Sequence, residues 1–208
     1  MTEKGKVLIM NNSAVKPAPN PAKVVTGRKT RFSYCNLWEP KSINGGKPHY
    51  SASLIIPKSD TKTVEALYAA PRAAYENGKD KLKNKNGSVP PMEAIKLAIR
   101  DGDTDRPDDP AYAGCLFVNA NSDRQPNLYD AAGQEILDRA EVYSGCYGKA
   151  SITFFVFNTN GNRGIACGLN GLQKIRDGEP LGGRGNVLAD FMNAADDDDE
   201  DDEEELLG

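Results

Sequence analysis

The sequence predicts a mainly β fold, a small antiparallel barrel with one inserted helix. Short segments rich in Val, Ile, Thr, Phe and Tyr recur along the chain, and in the clearest of them apolar and polar residues alternate, as they do in strands. One main segment instead carries apolar residues at helical spacing. Gly145 and Gly148 interrupt the longest predicted strand, where the strands of a small barrel must bend sharply.

The first predicted elements form an antiparallel pair of strands. Residues 24–38 are rich in Val, Thr, Phe and Tyr, and residues 50–57 alternate around Tyr50, Leu54 and Ile56. Between them, residues 41–48 contain Asn-Gly-Gly, which is typical of a hairpin loop. We therefore expect these two strands to lie side by side.

A helix is predicted from about Thr61, with Ser59 or Asp60 as its N-cap. Its apolar residues recur at helical spacing, at Val64, Leu67, Tyr68 and Tyr75. Pro71 is expected to end or kink it, because proline lacks the donor that a helix interior uses. Residues 80–110 then read as a long polar insertion, apart from a short apolar stretch at 92–99 that fits a helical turn or a strand.

The later elements are again mostly strands, predicted at residues 114–119, 127–129, 140–157 and 164–169, with a short helix at 172–177. Alternation along 140–157 places Val142, Cys146, Ile152, Phe154 and Val156 on a core face. The opposite face carries Tyr143, Tyr147, Lys149, Ser151, Thr153, Phe155 and Phe157. Together these elements predict a five-stranded antiparallel barrel of the OB type with long loops.

Composition and charge divide the chain into three parts. Residues 1–22 are an irregular lead-in, 23–183 a single folded domain, and 184–208 a flexible linker with an acidic tail. Ten consecutive carboxylates, Asp196 to Glu205, leave 26 basic against 20 acidic side chains in the preceding residues, a formal charge of +6. A basic body with a polyanionic tail suggests that the body binds another polyanion.

Several classes of protein are not supported by the composition. Because there is no run of 18 apolar residues and no apolar N-terminal core, we expect a cytoplasmic protein without a membrane partner. The four cysteines show no short-spaced pair and His49 is the single histidine, so no zinc site and no cofactor are predicted. The cysteines are expected to be buried, reduced thiols.

Cations and aromatic residues on the same strands are what sequence-independent binding of single-stranded nucleic acid requires. The candidate DNA-binding residues are Arg28, Lys29, Arg31, Tyr34, Trp38, Tyr143, Tyr147, Lys149, Phe155 and Arg163. For each aromatic residue, a place in the core is the alternative. Arg163 lies at the tip of a predicted turn and is either an exposed loop charge or a phosphate contact.

Three aspartates, Asp101, Asp103 and Asp105, raise two other hypotheses. Alternating oxygen ligands resemble the start of a calcium loop, but the sixth position is Arg106 and the twelfth is Tyr112, so the pattern fails. The same residues could hold a two-metal nuclease centre, which is the enzymatic alternative. An acidic-tailed interaction protein that never touches nucleic acid is a third hypothesis. We favour a non-enzymatic protein with no catalytic residues and no metal site.

The chain closely resembles a family of bacteriophage single-stranded DNA-binding proteins. The resemblance is carried by residues 28–38, 50–57, 140–148, 161–170 and 173–183. The resemblance implies an OB fold that coats single-stranded DNA during phage replication or recombination, in the host cytoplasm. It also implies that the tail recruits replication or recombination proteins, and we expect the tail to compete with DNA. The expected partner-binding residues are Asp196, Asp197, Asp198, Asp199, Glu200, Asp201, Asp202, Glu203, Glu204, Glu205, Leu206 and Leu207. A homodimer is left open.

Overall fold

A computed structural model describes residues 20–42, 45–84, 86–159 and 162–182. The strands are β1 (Lys23–Val25), β2 (Thr30–Lys41), β3 (His49–Pro57), β4 (Lys96–Leu97), β5 (Ile99–Asp101), β6 (Cys115–Ser122), β7 (Asn127–Tyr129), β8 (Tyr147–Thr159) and β9 (Asn162–Arg176). The helices are α1 (Thr61–Gly78) and the single turn α2 (Gly102–Asp105). Short 3-10 turns occupy Lys79–Leu82, Met92–Ala94 and Pro110–Tyr112.

Five long strands close into a barrel in the order β2-β3-β6-β9-β8, with β8 returning to β2. Four of the five junctions are antiparallel, and β6 meets β9 in parallel at the pair Asn121–Gly168. The predicted OB-like barrel with an inserted helix is therefore confirmed. The short strands β1, β4, β5 and β7 extend the same sheet around this ring.

The barrel interior is filled by alternate residues of its strands, and the predicted core face of residues 140–157 is confirmed, because Val142, Cys146, Ile152, Phe154 and Val156 are all buried. Phe32, Leu54, Val118 and Ile152, from four different barrel strands, are each fully buried. Helix α1 begins at its N-cap Asp60, whose carboxylate accepts from the backbone N–H of Thr63. It packs on β8 and β1.

Two predictions about the first half of the chain are wrong. Residues 24–38 do not form one strand, because the chain turns between β1 and β2 and leaves Arg28 and Lys29 exposed in that turn. Of the two outcomes expected at Pro71, an end or a kink of the helix, the end is wrong, because α1 runs through Pro71. The proline is buried with Leu67 and Ala74 on the packed side of the helix, so tertiary contacts offset the missing backbone hydrogen bond.

Two predictions about the second half also need correction. Strand β8 begins at Tyr147, so Tyr143 lies in the preceding turns and not on a strand. The expected helix at 172–177 is instead the end of β9, which pairs with the beginning of β8. Pairing with a long partner strand overrides the weak local preference of this segment.

Gly145 and Gly148 mark the sharp change of direction where the chain enters β8. Gly145 has φ +126°, which side chains rarely adopt, and the β8–β9 register shifts between Tyr147 and Gly148. A Cβ atom on Gly148 would lie 2.0 Å from the carbonyl oxygen of Gln173 on β9. The glycine is thus required for the close approach of the two strands.

The four cysteines are free thiols; Cys146 and Cys167 are buried, whereas Cys35 and Cys115 are partly exposed. Burial raises the pKa of Cys167 to about 12, which keeps this thiol protonated at neutral pH.

Within the described residues, none of the helices has the length and apolar character needed to span a bilayer.

Candidate nucleic-acid interface

Short polar side chains form the floor of an open groove on the outer surface of β3 and β6. In the register of these strands, Ser51 lies opposite Asn121 and Ser53 lies opposite Asn119. Their alternation with buried Ala52 and Ala120 directs them out of the barrel. The groove has a volume of about 570 Å³.

Further along the same two strands, the outward surface is covered by a second small core. Ile55 and Phe117 pair across β3 and β6 and are buried with Tyr112. The rings of Tyr112 and Phe117 meet edge to face, with centroids 5.0 Å apart. This small core holds residues 102–113 on the outside of the barrel, and from this segment Arg106 forms one wall of the groove.

Arg106 projects from that wall onto Tyr34 of β2. Its guanidinium donates a hydrogen bond of 2.9 Å to the Tyr34 hydroxyl, and its Cζ lies 5.3 Å from the centre of the Tyr34 ring and 5.1 Å from that of Tyr112. The hydrogen bond to Tyr34 raises the pKa of Arg106 above its usual value, so the cation is retained. Arg106 therefore links the small core to the groove.

Tyr34 is held in an unusual conformation. Its φ is 48°, in the left-handed region that a bulky residue rarely occupies, and it lies where the β2–β3 register shifts between Ser33 and Asn36. Asn36 donates to the Tyr34 carbonyl and to the Ser51 hydroxyl, which ties the bulge to the groove floor. Tyr34 remains 57% exposed at the groove, where a base could stack on its ring.

The groove is positively charged. Arg106 and Lys41 line it, and none of the described residues that line it is acidic. The other lining residues are Tyr34, Asn36, Ser42, Ser51, Ala52, Ser53, Asn119 and Asn121. Phosphates would meet cations and hydrogen-bond donors here, and bases would meet an exposed aromatic ring.

The aspartates of the nuclease hypothesis are held by cations outside the groove. Lys58 donates to Asp101 and Asp103 at 2.8 and 2.7 Å, and Arg100 donates to Asp105 at 2.9 Å. Lys58, together with the backbone N–H of Gly114, lowers the pKa of Asp103. These contacts fasten the groove wall to the barrel, which gives the carboxylates a structural role.

Three of the predicted DNA-binding residues surround the segment that follows β9. The Arg31 guanidinium donates to the carbonyls of Gly145 and Glu179, at 3.2 and 2.6 Å. The Tyr147 ring has the Arg176 guanidinium 3.6 Å from its centre. The Tyr143 hydroxyl bonds Asp177 and Gly178. In this structure the polar contacts of Arg31 and Tyr143 are thus made within the protein.

The other predicted residues are dispersed over the barrel. Trp38 packs against the main core, and its buried indole N–H has no hydrogen-bond partner among the described residues. Arg163 is half-buried in β9 rather than at a loop tip, and its guanidinium donates to the Leu82 carbonyl and the Asn84 amide oxygen. Lys149 and Phe155 lie on the outer surface of β8 and do not line the groove. The predicted tail residues lie outside the described part of the chain.

Sequence reasoning identified Tyr34 but missed the rest of the groove, namely Asn36, Lys41, Ser51, Ser53, Arg106, Asn119 and Asn121. The polar positions on β3 and β6 were visible as a period of two, Ser51 with Ser53 and Asn119 with Asn121. Arg106 gave no such signal, because its position depends on the fold of the polar insertion.

The model of a family described as the single-stranded DNA-binding protein of Enterobacter phage Enc34 matches residues 22–204. The chain belongs to this family. A family relative, protein p50 of Acyrthosiphon pisum secondary endosymbiont phage 1, is 31% identical over 160 residues, which cover 74% of this chain and 84% of p50.

Solved structures agree with the family assignment. The single-stranded DNA-binding protein of bacteriophage Enc34, in complex with single-stranded DNA, is 25% identical, with a TM-score of 0.64, over 77% of this chain and 90% of that one. The single-stranded DNA-binding protein gp2.5 of bacteriophage T7 is 13% identical, with a TM-score of 0.54, over 76% of this chain and 93% of that one. The likeness to gp2.5 concerns the fold.

Proposed function

We propose that the chain is a non-enzymatic, sequence-independent single-stranded DNA-binding protein and that the strand lies in the groove of β2, β3 and β6. The observation that carries the proposal is the combination of the exposed Tyr34 ring, the Arg106 and Lys41 cations and a polar floor, without a carboxylate among the described lining residues. Complex formation with single-stranded DNA by the Enc34 relative supports the same ligand. The groove corresponds to the strand surface with which OB folds bind oligonucleotides.

Contact with phosphates and ring faces explains why binding would not depend on sequence. Every base offers a face on which an aromatic ring can stack, and every nucleotide offers a phosphate. The floor side chains Ser51, Ser53, Asn119 and Asn121 both donate and accept hydrogen bonds, so they tolerate different base edges. Such a protein would coat and protect single strands during phage DNA replication or recombination in the host cytoplasm.

The acidic tail is proposed to compete with DNA for the groove and to recruit replication or recombination proteins. Leu181 and Gly182, the last described residues, line a depression together with Tyr34, Asn36, Lys41 and Asp109, so the described chain ends beside the groove. Thirteen residues separate Gly182 from Asp196, enough to span at most about 43 to 47 Å. The ten carboxylates are therefore within reach of Arg106 and Lys41.

Equilibrium titration of the full chain with mixed-sequence single strands of about 30 nucleotides tests this function. Each phosphate neutralised on a single strand contributes about −0.7 to the slope of log affinity against log salt, so Lys41 and Arg106 alone predict about −1.4. Strands of different base composition are expected to bind within about ten-fold of one another. Absence of binding, or binding that salt does not weaken, would refute the proposal.

The tail is tested in the same titration with a chain that ends at Ala195. At low salt this chain should bind DNA more tightly than the full chain, and the difference should shrink at high salt because salt screens charges. A full-length variant with Asn and Gln in place of the ten carboxylates is the matched control for charge without loss of length. Equal affinities of all three chains at low salt would contradict competition by the tail.

A further inference from the structure

A second depression, of about 370 Å³, lies on the outward surface of the β8–β9 hairpin, between β1 and β7. We call this surface the hairpin face and define it by Tyr129, Lys149, Ser151, Asn170 and Gln173. None of the described residues lining it is acidic, and the ion pairs of the described chain do not include Lys149. It therefore offers a cation without a carboxylate partner in the described chain.

The side chains of the hairpin face match the chemistry of the groove. Tyr129 is 38% exposed and lines the same depression as Lys149, and the Asn170 amide donates a hydrogen bond of 3.3 Å to the Ser151 hydroxyl. The Gln173 amide donates to the backbone carbonyl of Asp130, which fixes its position. An aromatic ring, a cation and small polar groups thus recur on a second set of strands.

Phe155 lies between the two surfaces. The residue is 47% exposed, and its ring lies over Gly168, where an added Cβ atom would be 3.5 Å from the ring. Gly168 in turn pairs with Asn121 of the groove floor. From Asn121 to Lys149 the surface crosses two strand spacings and four residues of β8, a straight-line separation of about 16 Å. An exposed aromatic ring therefore stands along the route from the groove to the hairpin face.

We propose that the hairpin face binds a further segment of the same single strand after it leaves the groove across Phe155. Lys149 would neutralise a phosphate, and Tyr129 would stack on a base. The inference rests on the proposed function of the groove. It predicts that affinity depends on strand length, because a short strand fills the groove alone and a longer one reaches both surfaces.

The test compares strands of about 6 and about 16 nucleotides, within the range of about 4 to 16 that one OB fold covers. In the full chain, the double variant Tyr129→Ala, Lys149→Gln should lose at least about five-fold affinity for the longer strand, and its salt slope should weaken by about 0.7. Affinity for the shorter strand should not change. The matched control, Tyr68→Ala with Lys62→Gln, removes an exposed tyrosine and an exposed lysine from α1 and should bind both strands like the unmodified protein.

Equal losses for both lengths, or no loss for either, would overturn the inference. A change in the sedimentation of the DNA-free double variant would also overturn it, because the hairpin face would then contact a second copy of the chain. A different result would show that DNA does not bind in the groove: Tyr34→Ala would then leave the affinity for the shorter strand unchanged.

Discussion

Replacing Tyr34 by alanine is expected to weaken the binding of single-stranded DNA by about 1 to 3 kcal/mol, or five-fold to more than 100-fold. Tyr34 is the exposed ring of the groove, held in place by the strained bulge of β2 and by Arg106. Because the ring is preorganised, a stacked base does not have to order it. Fluorescence anisotropy with a labelled oligonucleotide at fixed salt measures the effect.

Two variants separate the role of the ring from other effects. Tyr34→Phe keeps the ring and loses only the hydrogen bond from Arg106, so most of the affinity should remain. Tyr68→Ala removes a tyrosine of similar exposure, 50%, from α1 and should not change binding. If Tyr34→Ala bound DNA as tightly as the unmodified protein, base stacking in the groove would be wrong.

The second large effect is expected on stability, from Gly148→Ala. The new methyl group would lie 2.0 Å from the Gln173 carbonyl oxygen and 2.9 Å from the Phe32 ring, so β8 and β9 would have to separate near the barrel closure. We expect the free energy of unfolding to fall by about 3 kcal/mol, the upper part of the usual range for an overpacked site. Urea unfolding followed by circular dichroism measures the change.

Gly168→Ala on β9 is the matched control. A Cβ atom there would make only ordinary contacts, 3.5 Å from the nearest atoms, so its stability should stay within about 1 kcal/mol of the unmodified protein. If the two variants lost similar amounts of unfolding free energy, the close approach of β8 and β9 at Gly148 would not be important for the stability of the barrel. The contrast therefore isolates the strand approach from the general cost of replacing glycine in a strand.

The barrel could be predicted from the sequence because its determinants are local. Alternation along β8 defined its buried face, and Asp60 marked the start of α1. The parts of the fold that the sequence did not predict depend on contacts between residues far apart in the chain. Pro71 remains helical because it is buried, and residues 172–176 are a strand because β8 supplies their hydrogen bonds.

The candidate site was harder to predict, because the sequence does not tell which cationic side chains form hydrogen bonds or ion pairs within the protein. Arg31 was a candidate DNA contact and Arg163 either a loop charge or a phosphate contact, yet in the structure both guanidinium groups donate to backbone carbonyls. Arg106 read only as a residue that broke a calcium pattern, yet it lies against Tyr34 in the groove. Side chains that meet through an irregular insertion of the chain leave no periodic signal.

The central claim is that a single strand lies in the β2–β3–β6 groove. Ultraviolet cross-linking to a thymine-rich oligonucleotide of about 16 nucleotides, followed by mapping of the tryptic peptides, tests it most directly. The account predicts a cross-link to the peptide spanning residues 32–41, which contains Tyr34. That cross-link should disappear in Tyr34→Ala and persist in Tyr68→Ala. Cross-links confined to other peptides, or none while DNA is bound, would contradict the account.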